Sequence, residues 1–191
     1  MSAASKRTAL LVIDVQQSFR QRPYWSEDEA PAFFANLQQV VDHASETGVP
    51  VLQVFHTDDS EGPQGSFSRD SGFVATLPEL RIEPEAVFYK QVHSALFGRN
   101  EEGATLEQWL RKNGIERVVV TGIRTEQCCE TTTRHASDLG FEVRYVTDAT
   151  LTFPMTSPSG RTYSAQDIRD CTELVLAGRF ATIVTPEAAL A

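Results

Sequence analysis

The sequence contains little of the material from which several classes of protein are built. Its 191 residues include only three cysteines, two of them adjacent, and this number and spacing fit no even disulfide framework. We therefore expect reduced thiols. No apolar run approaches the length of a membrane span, and residues 1–7 are too few and too polar for a signal peptide. These absences predict a cytoplasmic protein.

Basic clusters are also missing. The chain has 17 Lys and Arg residues against 26 Asp and Glu, a net charge of −9, and no Lys/Arg cluster of the kind that binds nucleic acid. It has no basic amphipathic helix that would bind a membrane. We expect neither nucleic acid nor a membrane as a partner, which leaves a small molecule. The length and an apolar content of 41% fit one globular domain over residues 1–191.

What the chain does contain is an alternation of short apolar runs and longer helical patterns. Continuous Val, Leu and Ile runs are typical of strands covered on both faces, and they predict strands over 9–15, 50–56, 86–90, 117–123, 142–147 and 181–184. Helices are predicted over 29–46, 104–112 and 165–176, and from the N-cap Thr125 to Gly140. This order predicts a three-layer α/β fold, with helices on both faces of a mostly parallel six-stranded sheet. Residues 57–85 predict a long surface loop, with one helical turn, as a candidate lid.

The thiol of Cys128 lies in the most informative part of the chain. It falls in the first turn of a predicted helix, directly after the strand over residues 117–123. The unpaired N–H groups and the dipole at a helix N-terminus favour an anion, so we expect the pKa of Cys128 to lie below that of free cysteine. A thiolate is the nucleophilic form of cysteine, and the position therefore predicts nucleophilic attack.

Two other thiols compete with Cys128. Cys129 is predicted to face the sheet among apolar neighbours, where a thiol is usually inert, and Cys171 is predicted to lie in the core. Among the histidines, His135 lies about 10 Å along the helix from Cys128, too far to act as its base. His93 is expected to pack rather than to line a cleft.

An acid and an amine end two other predicted strands. The apolar residues of the first strand run into Asp14 and Lys90 ends the third strand, and in open α/β sheets ligands bind beyond the carboxyl ends of the strands. Asp14 could take the thiol proton and return it to a leaving amine, while the charge of Lys90 would stabilise a thiolate. The N–H of Cys128, with one from the preceding turn, could hold an oxyanion. Taken singly, such an Asp is more often a turn former and such a Lys a surface residue.

Taken together, these residues resemble the isochorismatase-like cysteine hydrolases. The resemblance covers nearly the whole chain, and its segments, in family order, are LVIDVQ at 11–16, Lys90, TGIRTEQC at 121–128 and ETTTRHA at 130–136. It implies a Rossmann-like sheet and an Asp-Lys-Cys triad at Asp14, Lys90 and Cys128. It also implies a cis peptide bond before Arg124, which would let the N–H groups of Arg124 and Cys128 form an oxyanion hole.

The resemblance also narrows the chemistry. Isochorismatases in the strict sense hydrolyse a vinyl ether without a nucleophilic cysteine, so the thiol here favours hydrolysis of an acyl C–N bond through a thioester. The nicotinamidase branch has an Asp-x-His motif after the second strand, with further histidines in the loop that follows. Here the candidates are His56 and Asp58, too few for a catalytic zinc site. We therefore expect no metal and no cofactor, and nicotinamide is a less suitable substrate.

The leading hypothesis is a metal-independent amidohydrolase that acts on a small amide, ureido or carbamoyl compound. Phe19, Trp25, Tyr89 and Phe97 are candidates for an apolar substrate pocket, although for any single aromatic residue a core position is the commoner case. We also expect a homo-oligomer, in which another subunit could share the pocket walls.

Two alternatives stay open. The first is a thiol-redox protein, which the adjacent Cys128 and Cys129 support weakly because the usual C-x-x-C spacing is absent. The second is a non-catalytic, oligomeric relative of the family, against which the complete triad argues. A nucleotide-binding oxidoreductase is rejected because Asp14 to Ser18 contain no glycine, whereas such proteins need a glycine-rich turn after the first strand.

Overall fold

The computed structural model describes residues 6–191. The expectation drawn from residues 1–7 therefore falls mostly outside the described chain. Within residues 6–191, no helix combines the length and the apolar character needed to cross a membrane.

The described chain contains eight strands and four α-helices. The strands are β1 (Thr8–Ile13), β2 (Val51–His56), β3 (Ala86–Lys90), β4 (Arg117–Ile123), β5 (Glu142–Leu151), β6 (Met155–Thr156), β7 (Thr162–Tyr163) and β8 (Thr182–Ile183). The helices are α1 (Ala30–Thr47), α2 (Leu106–Lys112), α3 (Glu130–Asp138) and α4 (Ala165–Leu176). A π-helical turn, Thr125–Cys129, precedes α3, and short 3₁₀ turns occupy Gln17–Gln21, Arg69–Ser71, Ala95–Phe97 and Pro186–Ala188.

Six of the strands form one parallel sheet in the order β3-β2-β1-β4-β5-β8, and β6 and β7 form a separate antiparallel pair. The predicted α/β fold with a six-stranded sheet is thereby confirmed. From the central β1 the chain first builds outward through β2 and β3, and then returns to place β4 on the other side of β1. This reversal of direction is a topological switch point, where α/β proteins open a crevice beyond the strand ends.

The side chains of β1 show how the sheet is covered on both faces. Leu11 and Ile13 pack into one apolar cluster with α2, α3 and α4, whereas Leu10 and Val12 pack into a second cluster with α1. All four are fully buried. A strand buried on both faces needs an unbroken apolar run rather than alternation, and this explains why the sequence pattern predicted β1 so clearly.

Several predicted bounds differ from the structure. β1 ends at Ile13, two residues early, because Asp14 turns out of the strand with a φ of 55°. β5 continues to Leu151, since an irregular register between Val120 and Gly122 lets it pair with β4 again. β8 is reduced to Thr182–Ile183.

The loop over residues 57–85 contains the single expected helical turn, but its second half is fixed rather than free. The carbonyl oxygens of Phe73 and Ala75 accept hydrogen bonds from the N–H groups of Ser18 and Gln17, at 3.0 and 2.9 Å. The N–H of Leu77 donates to Val15. These bonds tie residues 73–77 to the segment that follows β1.

Gly122 allows β4 to approach β1 beside the strand ends. Its φ is 126°, and a Cβ built at this position would lie only 2.0 Å from the carbonyl oxygen of Ile13. No other residue type has both the conformational freedom and the absent side chain that this contact requires. The sheet therefore brings the residue before Asp14 against the strand that leads to Cys128.

Candidate active site

Asp14 is the first residue beyond β1, and its backbone turns the carboxylate off the sheet. The side chain is fully buried and the φ of 55° lies in the left-handed region, which Asp adopts more readily than most residues. Its Oδ2 accepts a hydrogen bond of 2.7 Å from the Lys90 ammonium. Within the described chain, Oδ1 is buried and accepts no hydrogen bond. One oxygen of the carboxylate is thus held and the other remains open to a proton.

Lys90 is the last residue of β3, and its fully buried ammonium joins three groups. Nζ lies 2.7 Å from Asp14 Oδ2, 3.1 Å from His56 Nδ1 and 3.4 Å from Cys128 Sγ. Burial lowers the pKa of Lys90, but the charge of Asp14, together with the hydrogen bonds from the ammonium to Asp14 and Cys128, outweighs burial and the net direction is upward. Lys90 therefore stays cationic in the site.

The turn that carries Cys128 is not the α-helical turn predicted from the sequence. The carbonyl oxygen of Arg124 accepts from the N–H groups of Gln127 and Cys129, and the second bond spans five residues, which makes the turn π-helical. Such turns are rare and often occur at functional sites. The helix is wider here because the Arg124 carbonyl oxygen accepts the bond from Cys129, and no sequence pattern predicts this bond.

The predicted N-cap role of Thr125 is also wrong. The structure places the cap position at Arg124, without a side-chain hydrogen bond. The Thr125 hydroxyl instead pairs with the hydroxyl of Thr150 at 2.7 Å, and its carbonyl oxygen accepts from the fully buried Tyr145 hydroxyl at 2.8 Å. Both contacts anchor the π-helical turn to β5.

The ionisation of Cys128 differs from the prediction. The thiol is 6% exposed, and burial raises its pKa, with a further rise from the Asp14 charge and an opposing effect of Lys90. The predicted lowering considered the helix terminus and Lys90 but neither the depth of the site nor the carboxylate beside it. In the free protein Cys128 is therefore a neutral thiol, with an acceptor oxygen of Asp14 within 4.8 Å of Sγ.

The other two thiols lie apart from this arrangement. Cys129 is fully buried in the apolar cluster that contains Ala136, as the face assignment predicted. Cys171 was predicted to lie in the core but is exposed, because α4 buries Ile168 and Thr172 on its inner face.

The peptide bond between Ile123 and Arg124 is cis, as the family resemblance implied. The Arg124 side chain is buried, forms a 2.9 Å ion pair with Glu126 and places its guanidinium 4.8 Å from the ring centre of Tyr24. Both contacts hold the side chain of Arg124 in place. The N–H groups of Arg124 and Cys128 both belong to the turn that starts at the cis bond.

A small cleft of about 170 Å³ opens above Asp14 and Cys128. It is lined by Asp14, Phe19, Arg22, Tyr24, His56, Asp58, Phe67, His93, Gln127 and Cys128. His93 was expected to pack but is exposed at this cleft.

Of the four aromatic residues predicted to line the pocket, only Phe19 is placed at the cleft. Trp25 packs against Phe153 with ring centres 5.3 Å apart, and Tyr89 and Phe97 line a neighbouring cavity. The structure therefore places these three side chains outside the cleft. Tyr24 and Phe67 take their place, and sequence reasoning missed both because they lie in irregular segments whose path is set by tertiary contacts.

The residues at the cleft do not fit a metal ion. Ligand atoms of Asp14, His56 and Cys128 lie within 4.8 Å of one another, but the Lys90 ammonium contacts all three residues. A cation already occupies the point on which these donors converge. Asp58, the other candidate ligand, uses Oδ1 to accept a 2.8 Å hydrogen bond from the N–H of Ser60.

Comparisons with known proteins agree with this architecture. The family model described as "Isochorismatase domain" matches residues 8–179. The isochorismatase family protein YrdC of Bacillus subtilis is 31% identical over 183 residues, covering 95% of this chain and 94% of its own. Nicotinamidase 3 of Arabidopsis thaliana is 31% identical over 161 residues, covering 78% and 75%. A crystal structure of an isochorismatase-family protein from Chromobacterium violaceum matches with a TM-score of 0.84 and 28% identity, over 100% of this chain and 96% of that one. The chain belongs to the isochorismatase family of hydrolases.

Proposed function

We propose that the protein is a metal-independent cysteine amidohydrolase that cleaves a C–N bond of a small amide, ureido or carbamoyl compound through a thioester on Cys128. The observation that carries the proposal is the position of the Lys90 ammonium, 2.7 Å from the Asp14 carboxylate and 3.4 Å from the Cys128 thiol. The similarity to a nicotinamidase supports amide chemistry. The small cleft supports a small substrate.

The first step is attack by the thiol on the substrate carbonyl carbon. Cys128 is a neutral thiol because its pKa is raised, so it must lose its proton as the S–C bond forms. The open oxygen of Asp14 takes that proton, and Lys90 stabilises the charge that develops on sulfur. Because Asp14 removes the proton and Lys90 stabilises the negative charge on sulfur, Cys128 does not need to be a thiolate in the free enzyme.

The negative charge that forms on the carbonyl oxygen requires donors fixed beforehand. The N–H groups of Arg124 and Cys128 would supply them, because Arg124 is the cap residue of the π-helical turn and Cys128 lies within that turn. The side chain of Arg124 does not take this role, since Glu126 holds it in an ion pair.

Collapse of the intermediate completes the acyl transfer. Asp14, now protonated, gives its proton to the leaving nitrogen as the C–N bond breaks, and the acyl group stays on Cys128 as a thioester. Water then attacks the thioester with Asp14 again acting as the base. The products are a carboxylic or carbamic acid and an amine or ammonia, and Cys128 regains its proton.

The thiol-redox alternative has less support in the structure. A redox pair needs two thiols that can reach each other and a partner, but Cys129 is fully buried in the apolar cluster and Cys171 lies exposed on α4. The contacts of Cys128 are instead with a base and a cation. These are the partners of a nucleophile that attacks carbonyl groups.

The test is a screen of small amides, ureides and N-carbamoyl compounds for ammonia release, followed by mass spectrometry of acid-quenched protein during turnover. We expect at least one compound to release ammonia and to leave its acyl group on the peptide that contains Cys128. An acyl adduct on another residue would contradict the proposal, as would the failure of every compound in the three classes.

A further inference from the structure

The ammonium of Lys90 has three N–H donors and one polar partner for each of them. Two point to Asp14 Oδ2 and Cys128 Sγ, the groups of the proposed mechanism. The third points to Nδ1 of His56, at 3.1 Å. A lysine ammonium can only donate, so Nδ1 of His56 must be the acceptor.

This contact fixes the proton on the His56 ring. With Nδ1 unprotonated, a neutral imidazole carries its proton on Nε2. Burial lowers the pKa of His56, and the charge of Lys90 lowers it further, which favours the same neutral form. His56 ends β2 and lines the cleft, with its ring edge-on to Phe67 at a centre-to-centre distance of 5.7 Å.

The backbone of His56 is held as firmly as its ring. The buried side chain of Gln16 accepts from the His56 N–H at 2.7 Å and donates to the His56 carbonyl oxygen at 3.0 Å. Its amide also donates to the hydroxyl of Ser18 at 2.8 Å. The side chain of Gln16 thus forms hydrogen bonds with both the N–H and the carbonyl oxygen of His56 at the end of β2.

We infer that His56 is a positioning residue for Lys90: through Nδ1 it accepts the third N–H of the ammonium and so fixes the cation between Asp14 and Cys128. The inference rests on the proposed function in that the cation it fixes is the one that serves the thiol. Without His56, the long Lys90 side chain would have two partners instead of three and more rotational freedom. Gln16 extends the same restraint to the backbone.

The ionisable groups around His56 determine how its role depends on pH. They are Lys90 from β3, Asp14 after β1, His93 after β3, Asp58 after β2 and Cys128 before α3. Lys90 and His93 oppose protonation of His56, whereas Asp14 and Asp58 favour it. Acidification through the lowered pKa would place a second cation 3.1 Å from Lys90 and expel the ammonium from its position. Function should fall at pH values below the ordinary range of histidine.

The first test is nitrogen NMR of the full chain, which has only four histidines to distinguish. Long-range proton–nitrogen correlations should show the His56 ring, assigned by its loss in His56→Asn, as the Nε2–H tautomer at neutral pH. In Lys90→Met the pKa of His56 should rise, because the neighbouring charge has gone. The inference would be overturned by an Nδ1–H tautomer of His56, or by a His56 pKa that is the same in Lys90→Met as in the parent.

The second test compares two variants at His56 by the rate at which iodoacetamide alkylates Cys128. A Cys171→Ser background removes the exposed thiol, which would react independently. His56→Leu removes the acceptor and should slow alkylation at neutral pH by about tenfold. His56→Asn keeps an acceptor oxygen close to the position of Nδ1, and should restore the rate to within about threefold. At acidic pH it should keep the fall caused by protonation of the thiol and lose the additional fall that protonation of His56 causes in the parent. A His56→Leu profile equal to that of the parent would refute the positioning role.

Failure of this inference can be told apart from failure of the proposed function. If amides are hydrolysed but the His56 variants leave the alkylation profile unchanged, His56 has no positioning role and the hydrolase stands. If the tautomer and the Lys90 coupling are found but no amide is hydrolysed, the positioning role stands and the proposed reaction fails. Should His56→Leu not fold, the tautomer and the His56→Asn profile still decide the matter.

Discussion

A fully buried lysine is unfavourable unless its charge is paired, and this requirement explains much of the site at the scale of single residues. The side chains of Lys90 and Asp14 are both completely inaccessible and form a 2.7 Å ion pair. Removing one partner of such a pair leaves an uncompensated buried charge, which destabilises a protein more than the pair itself stabilises it. The two residues are thus coupled in folding as well as in the proposed chemistry.

Lys90→Met should lower the free energy of unfolding by about 3 kcal/mol, because it leaves the Asp14 carboxylate buried and unpaired. Urea unfolding followed by circular dichroism measures the loss. The double variant Asp14→Asn/Lys90→Met removes both charges and should recover part of the stability. A double variant that is no more stable than Lys90→Met alone would show that the ion pair is not the cause.

Asp14→Asn should separate the ionisation of Cys128 from its reactivity. The Asp14 charge raises the pKa of the thiol and Lys90 lowers it, so the variant should have a lower Cys128 pKa, measured by the ultraviolet absorbance of the thiolate. Turnover should nevertheless fall by about 10³-fold, since the proton acceptor is lost. A variant with faster turnover would mean that the thiolate alone suffices and that Asp14 is not the base.

At the scale of elements, the sequence predicted those strands and helices that are marked by a continuous local pattern of apolar residues. The apolar runs of β1 and β4 and the helical spacing of α4 are visible without tertiary context, and α4 occupies the predicted residues 165–176. The π-helical turn before Cys128 could not be predicted, because it depends on a single backbone bond from Cys129 to Arg124. The exposed position of Cys171 was missed because the elements that pack against α4 determine which of its faces is buried.

In the candidate site, too, the residues at strand ends could be predicted from the sequence and the residues in loops could not. Asp14, Lys90 and Cys128 end or follow strands, and a parallel sheet brings such ends together whatever the loops do. The aromatic walls belong to loops, so Trp25 was assigned to the cleft and Phe67 was not. The contact of His56 with Lys90 was missed for a third reason: His56, a polar residue at the end of β2, was considered only as a candidate metal ligand and then set aside.

Gly122→Ala should be strongly destabilising, because a Cβ there would lie 2.0 Å from the carbonyl oxygen of Ile13 and β1 and β4 would have to separate. We expect a loss of about 3 kcal/mol in the free energy of unfolding. Gly178→Ala is the matched control, with a φ of 71° and nothing within 4 Å of the added atom, and should lose only about 1 kcal/mol. Equal losses in the two variants would show that backbone conformation, not the strand contact, dominates.

At the scale of the whole molecule, the sheet order explains why three distant segments of the chain form one site. The strand order reverses between β1 and β4, and the residues after these strands, with the end of β3, meet at the same edge. The second half of the loop over residues 57–85 is bonded to the segment after β1, and residues 58–72 contribute Asp58 and Phe67 to the cleft. The cleft is therefore built by connections that the sheet holds in place.

The folded chain should be active without a metal ion. Lys90 occupies the point where Asp14, His56 and Cys128 converge, so dialysis against a chelator should leave ammonia release unchanged. Activity assayed before and after dialysis, with and without added Zn²⁺, Mn²⁺ or Fe²⁺, measures this directly. A loss that one of these ions restores would assign a metal-binding role to His56 and Asp58.

The most direct test of the central claim is the rate of ammonia release by Cys128→Ala beside that of Cys129→Ala, on the substrate found in the screen. The two thiols are adjacent in the chain, but only Cys128 contacts Lys90 and lines the cleft. We predict that Cys128→Ala falls to the uncatalysed rate, while Cys129→Ala, once shown to be folded, keeps most of its activity. Substantial turnover by Cys128→Ala would contradict the account, because the thioester could then play no part in the reaction.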